Sequence, residues 1–187
     1  MKFVKVLLLI LTLSVNYSFG QNIPTSQNPK YTSSINPKYT SSINPKYTSS
    51  INPKYTSSIN PKYTSSINPK YTSSINPKYT SSINPKYTSS INPKYTSGLN
   101  PFRGSWEGKY LFDASADYIG ILVYANSNIY LLYNTSGDWI GYFVRAKTNF
   151  NLFNLNGEWT GKYLCSDSRT GYNLFDEDGD WTGNYVK

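Results

Sequence analysis

Residues 150–163, Phe-Asn-Leu-Phe-Asn-Leu-Asn-Gly-Glu-Trp-Thr-Gly-Lys-Tyr, read as two short strands folded back about Asn156-Gly157. Asn-Gly tolerates the positive φ values of a tight hairpin turn, and the apolar residues on either side alternate with polar ones. The same pattern recurs around Ser136-Gly137 and Asp178-Gly179, with Tyr130 and Leu132 or Tyr172 and Leu174 upstream. Downstream of each turn comes Trp-x-Gly followed by aromatic residues, at Trp139, Trp159 and Trp181, and Trp106 begins a fourth such segment. A two-residue turn would pair Leu155 with Glu158, Leu152 with Gly161 and Phe150 with Tyr163. It would also set Leu132 opposite Gly141 and Leu174 opposite Gly183, glycine leaving room for the facing leucine. In that register Phe150, Leu152, Trp159, Gly161 and Tyr163 share one face, and the tryptophans belong to a core. Adding strands near 106–112 and 118–125 gives an all-β C-terminal domain over residues 100–187. It is an antiparallel meander of seven or eight strands, a curved sheet or small barrel.

Upstream lies a tandem tract. Residues 28–91 are eight identical copies of Asn-Pro-Lys-Tyr-Thr-Ser-Ser-Ile, and residues 92–99 are a ninth ending Ser-Gly-Leu. Proline at every eighth position blocks a helix and interrupts a long ladder. Each Asn-Pro-Lys-Tyr suits a type I turn. With only Tyr and Ile large and apolar, residues 21–99 read as a disordered or extended spacer with nascent turns. The competing reading is ordered. An extended period of eight puts Pro, Tyr, one Ser and Ile on one face, and stacked turns would form a Tyr-rich ribbon.

Charge divides along the same boundary. The tract holds nine lysines and no acid, whereas residues 100–187 hold ten acids against seven basic residues, so the net +8 comes from the tract. Extended lysines would stand ~25 Å apart at ~3.1 Å per residue, beyond the ~8 Å Debye length. That spacing argues for independent weak contacts, not for specific nucleic-acid recognition. The candidate contact residues repeat as Lys30 and Tyr31, Lys38 and Tyr39, Lys46 and Tyr47. The partner class they suggest is an anionic surface, polysaccharide or matrix, bound by multivalency. Residues 1–20 have the three parts of a secretory signal peptide: Lys2 and Lys5, an apolar run from Val6 to Leu13, and small residues before Gln21. That run is too short for a transmembrane segment. A secreted or cell-surface location, with cleavage near Gly20, follows as the expectation. The leader resembles those of proteins exported by Bacteroidota. The Lys-Tyr-rich, Pro-punctuated tract resembles the repeats of mussel-type adhesive proteins, and that resemblance implies surface adhesion.

Chemistry-bearing groups are sparse. With no histidine and one cysteine, the chain has no Ser-His-Asp or Cys-His nucleophile system, no disulfide framework and no CxxC motif. No cofactor motif is present, and catalysis is not expected. Asp176, Asp178 and Asp180 alternate as calcium ligands do. The aligned Asn154, Asn156 and Glu158 favour turn chemistry instead, and no bidentate Glu follows. Tyr124, Tyr133 and Tyr142 are the expected surface aromatics for glycan or protein binding. Cys165 reads as a small buried filler. The leading function is a secreted, non-enzymatic structural or adhesive protein in which the β domain anchors the repeats. The alternative is a secreted glycan- or protein-binding β module on an inert linker.

Overall fold

The computed structural model describes residues 23–103 and 105–187, so the leader at 1–20 lies outside the described residues. The C-terminal part is a closed barrel of eight antiparallel strands joined in chain order. The strands are β1 Gly108–Phe112, β2 Tyr118–Asn126, β3 Ile129–Asn134, β4 Trp139–Ala146, β5 Asn149–Phe153, β6 Trp159–Ser166, β7 Tyr172–Phe175 and β8 Trp181–Val186. Closure comes from Leu111 pairing with Val186 and Phe112 with Tyr185, which removes both sheet edges. Of the two expected forms, the molecule takes the barrel.

The turns differ in one respect from the two-residue form. Gly157 donates to the Asn154 carbonyl and Asn154 to that of Glu158, and only Gly157 of the turn has positive φ, at 82°. This is a three-residue loop, a type I turn completed by a left-handed glycine. Turns 134–138 and 176–180 repeat it, and turn 113–117 does so with Ala116 in the left-handed place. A bulge then follows in the strand after the loop. Phe153 faces Trp159, while Asn151 faces Tyr163 and Phe150 faces Leu164. Phe150 and Tyr163 are therefore not partners and do not share a face. Gly161 is a bulge residue at φ 79°. The expected pairing of Leu132 with Gly141 is present.

One apolar residue from each strand fills the barrel interior: Leu111, Leu122, Leu132, Phe143, Phe150, Leu164, Leu174 and Val186. An eight-stranded barrel is just wide enough for side chains to fill it. The opposite strand face is equally apolar and also buried. Ile121, Val123, Leu131, Tyr133, Tyr142, Val144, Phe153, Tyr163 and Phe175 are all nearly inaccessible. The repeats cover it.

The tract is where extended and actual conformations part. In each copy Tyr and Thr N–H groups donate to the Asn carbonyl, and Ser-Ser-Ile closes a single 3-10 turn, as at Ser41–Ile43. The Asn side chain works in two directions. Asn44 Oδ1 accepts from the Lys46 N–H at 2.9 Å, and its Nδ2 donates to the Pro37 carbonyl at 2.8 Å. Thr48 Oγ1 donates to the Ser41 carbonyl at 2.7 Å. Both inter-repeat bonds span seven residues, so the chain makes one coil per octapeptide and each coil is pinned to the one before. Proline costs nothing here, because its missing N–H falls where the coil needs only a carbonyl. What two large apolar residues per copy cannot stabilise alone, side-chain hydrogen bonds and a barrel surface do.

Candidate functional site: the wound tract and its outer face

The coiled tract encircles the barrel. Lys30 meets Asp117 in the β1–β2 turn at 2.5 Å. Asn173 of β7 donates to the Ile43 carbonyl at 3.0 Å, Asn149 of β5 to that of Ile59 at 2.6 Å and Asn151 of β5 to that of Ile67 at 2.9 Å. The turn Ser73–Ile75 lies on β4, and Ser89–Ile91 and Ser97–Leu99 lie on β2. Tyr133 of β3 donates to the Leu99 carbonyl at 2.7 Å. The tract thus passes the strands in reverse chain order, in a single circuit. Its isoleucines point inward: Ile91, Leu99 and Ile83 join the cluster around Tyr133 and Tyr142, and Ile59 packs on Tyr163, Cys165 and Phe175.

This arrangement sorts the residues expected to bind. Tyr133 and Tyr142 are not surface aromatics; at 2% and 1% exposure they form the floor on which the tract lies. Burial pushes both phenols well above the usual tyrosine range, and Tyr118 up to about 12. Tyr124 alone of the three is exposed, and it closes one mouth of the barrel in an edge-to-face series with Tyr130, Phe150 and Tyr172. Cys165 is buried beneath Ile59, and burial pushes its thiol up.

Asp176, Asp178 and Asp180 do not converge. Asp176 Oδ1 accepts the backbone N–H groups of Asp178 and Asp180, so it is a turn carboxylate. Asp178 meets Lys62 at 3.1 Å, Asp180 pairs with Lys54, and neighbouring Glu177 pairs with Lys70. Hydrogen bonds donated to Asp178 and Asp180 raise the Lys62 and Lys54 pKa values, as the one donated to Asp117 raises that of Lys30. Among the described residues no group of three or more acidic, His or Cys side chains is placed to hold a metal ion. The four tryptophans are partly buried at the outer face, and Lys46 and Lys70 stand over the Trp181 and Trp159 rings at 5.9 and 5.3 Å.

The repeats' outward side is uniform. All nine tract tyrosines are 65–76% exposed, once per coil. Lys38, Lys78 and Lys86 lean over the tyrosine of their own repeat at 5.5–5.8 Å. Lys30, Tyr31, Lys38, Tyr39, Lys46 and Tyr47 therefore divide by type: tyrosines face solvent, whereas several lysines are turned to the barrel rim. The residues that sequence reasoning missed are Asn149, Asn151 and Asn173. Their signal was a polar side chain at strand positions that the first hairpin fills with Ile129 (for Asn149) and Leu131 (for Asn151 and Asn173). No family model, curated protein or solved structure matches this chain. Among the described residues no helix is long and apolar enough to cross a membrane.

Proposed function

We propose that this is a secreted, non-enzymatic adhesive or structural protein whose barrel serves as the former for a tyrosine-bearing coil. The observation that carries the reading is the nine tyrosines held outward at one per coil. A single exposed phenol makes a weak contact, but nine on one ordered scaffold bind together without each losing chain entropy on contact. The tract lysines with no acid partner among the described residues, Lys38 and Lys46 among them, add attraction to an anionic surface, polysaccharide or matrix. Export rests on the leader read at residues 1–20. The inert-linker alternative is less well supported, because the repeats cover the barrel's outer face and form part of one hydrophobic assembly with it.

The test is a variant with all nine tract tyrosines changed to serine. Since these rings face solvent, the barrel should keep its thermal midpoint, while retention on carboxylated polystyrene beads, which present no sugar ring, should fall severalfold. Undiminished retention by a folded variant would refute the reading.

A further inference from the structure

A groove of about 720 Å³ runs between the last two coils and two barrel turns. Lys86 and Lys94 come from the coils, Arg103 from the segment leaving the tract, Asp138 from the β3–β4 turn, Trp139 from the start of β4, and Asn156 from the β5–β6 turn. Its volume falls in the range of small-ligand sites, roughly 300–1,000 Å³.

The groove differs in charge from the rim at the β1–β2 and β7–β8 turns; among the described residues Lys38, Lys46 and Lys78 also lack an acid partner, but they do not line the groove. Lys30, Lys54, Lys62 and Lys70 are each neutralised by a turn acid. Among the described residues Lys86, Lys94 and Arg103 make no such pair, although all three are exposed. The acid in the groove, Asp138, accepts from Asn134 Nδ2 at 3.0 Å within its own turn. Three cations gathered in a concave, partly apolar site attract an anion more strongly than the same charges spread over a convex surface. The Trp139 indole N–H donates to the Gly141 carbonyl at 2.8 Å, which fixes the ring at the groove's side. A fixed aromatic ring beside cations and amide groups matches a sugar ring bearing carboxylate or sulfate: apolar C–H face, hydroxyl rim, negative charge.

We infer that this groove is a binding site for an acidic oligosaccharide, with Lys86, Lys94 and Arg103 meeting the charges and Trp139 the ring. It is separate from the tyrosine array, so the nine-tyrosine variant leaves it intact and the two readings fail independently. The probe is an oligogalacturonate, titrated calorimetrically into the full-length protein beside a neutral glucan oligomer of equal length. The variant K86Q/K94Q/R103Q should bind about tenfold more weakly, a loss of about 1.4 kcal/mol. K147Q/K162Q removes exposed positive charge from the barrel, away from both the groove and the tract lysines, and should bind like the parent. Equal weakening in both variants would reduce the groove to diffuse electrostatics and overturn the site. So would equal binding of the neutral glucan. A single-stranded oligonucleotide of matched charge that binds as tightly would also overturn it, by moving the specificity from sugar to polyanion.

Discussion

Asp167 and Lys187 form the one salt bridge among the described residues with both side chains out of solvent, 1% and 4% exposed. Asp167 Oδ1 also accepts from the Arg169 and Gly171 N–H groups, so the acid has alternative partners and the lysine has none of comparable strength. Burial lowers the Lys187 pKa in spite of the pair. Removing one member of such a pair leaves a buried charge uncompensated, which costs about 3–5 kcal/mol. Asp167→Asn should therefore cost clearly more than Lys187→Met in urea denaturation, because the second variant leaves a carboxylate still holding two N–H donors. Equal costs would show that the ion pair is not what distinguishes the site. The outer-face asparagines make a second residue-scale case. Asn173 donates to the Ile43 carbonyl, yet its own Oδ1 has no hydrogen bond among the described residues. Asn173→Ala leaves that carbonyl without its donor but also removes an unsatisfied buried oxygen. The expected cost sits at the low end of ~1–3 kcal/mol, and protease sensitivity should rise near residue 43. A variant that resists both denaturant and protease like the parent would mean the bond does not hold the tract.

At the scale of elements, the question is what fastens coil to barrel. Solvent screens exposed ion pairs until they contribute little, and the four lysine–acid contacts at the rim are all of that kind. A fully buried isoleucine contributes about 1.5–3 kcal/mol, and Ile43, Ile51, Ile67 and Ile91 are each at most 4% exposed. Apolar burial therefore dominates. Sodium chloride at 1 M should leave the tract protected from protease, whereas I67S combined with I91S should release it at low salt. Tract cleavage by salt alone would reverse this ranking. The strands carried a readable hint of such a cover. Ile119 to Val123 is an apolar run broken only by glycine, and Ile129 to Tyr133 is unbroken, whereas a strand wet on one side alternates. Hairpin positions, the meander and the pairing of Leu132 with Gly141 were legible because turn residues and period-two spacing are local signals. The one-residue register error at Phe150 was not avoidable that way. Asn-Gly serves both two- and three-residue loops, and the choice depends on the bulge at Gly161. The coil was hidden for a different reason. Its own bonds join residues seven apart, but its anchors on the barrel lie as many as 130 residues away, outside any local window.

At the scale of the whole molecule, barrel and tract bury tyrosines that act together. Burial raises the pKa of Tyr118, Tyr133, Tyr142, Tyr163 and Tyr185. An unfolded tyrosine ionises near pH ~10. The folded chain therefore holds protons that the unfolded chain releases above that pH, and stability falls as pH rises through the interval between the two values. Lys187 and Lys109, whose pKa values burial lowers, work in the opposite sense, but as two groups against five. The urea midpoint should decline steadily above about pH 10, with tyrosinate absorbance from the buried set appearing only as the chain unfolds; a flat midpoint to pH ~11.5 would contradict it. Copy number is constrained on the same scale. Near-identical repeats suggest a spacer in which one octapeptide more or less hardly matters, but a tract that encircles a barrel has a fixed distance to cover. Ile43 must reach Asn173 while Leu99 reaches Tyr133. Deleting residues 60–67 leaves every remaining coil able to form, but one end of the circuit must give up its strand contacts. Inserting one octapeptide after residue 67 needs only a loop to bulge outward, and lengthening a loop costs little, about 0.6 kcal/mol per doubling. The deletion should lower the thermal midpoint and open the tract to protease, while the insertion leaves the midpoint within about a degree or two of the parent for a cost that small. Equal tolerance of both would show that the repeats lie on the barrel without being measured by it.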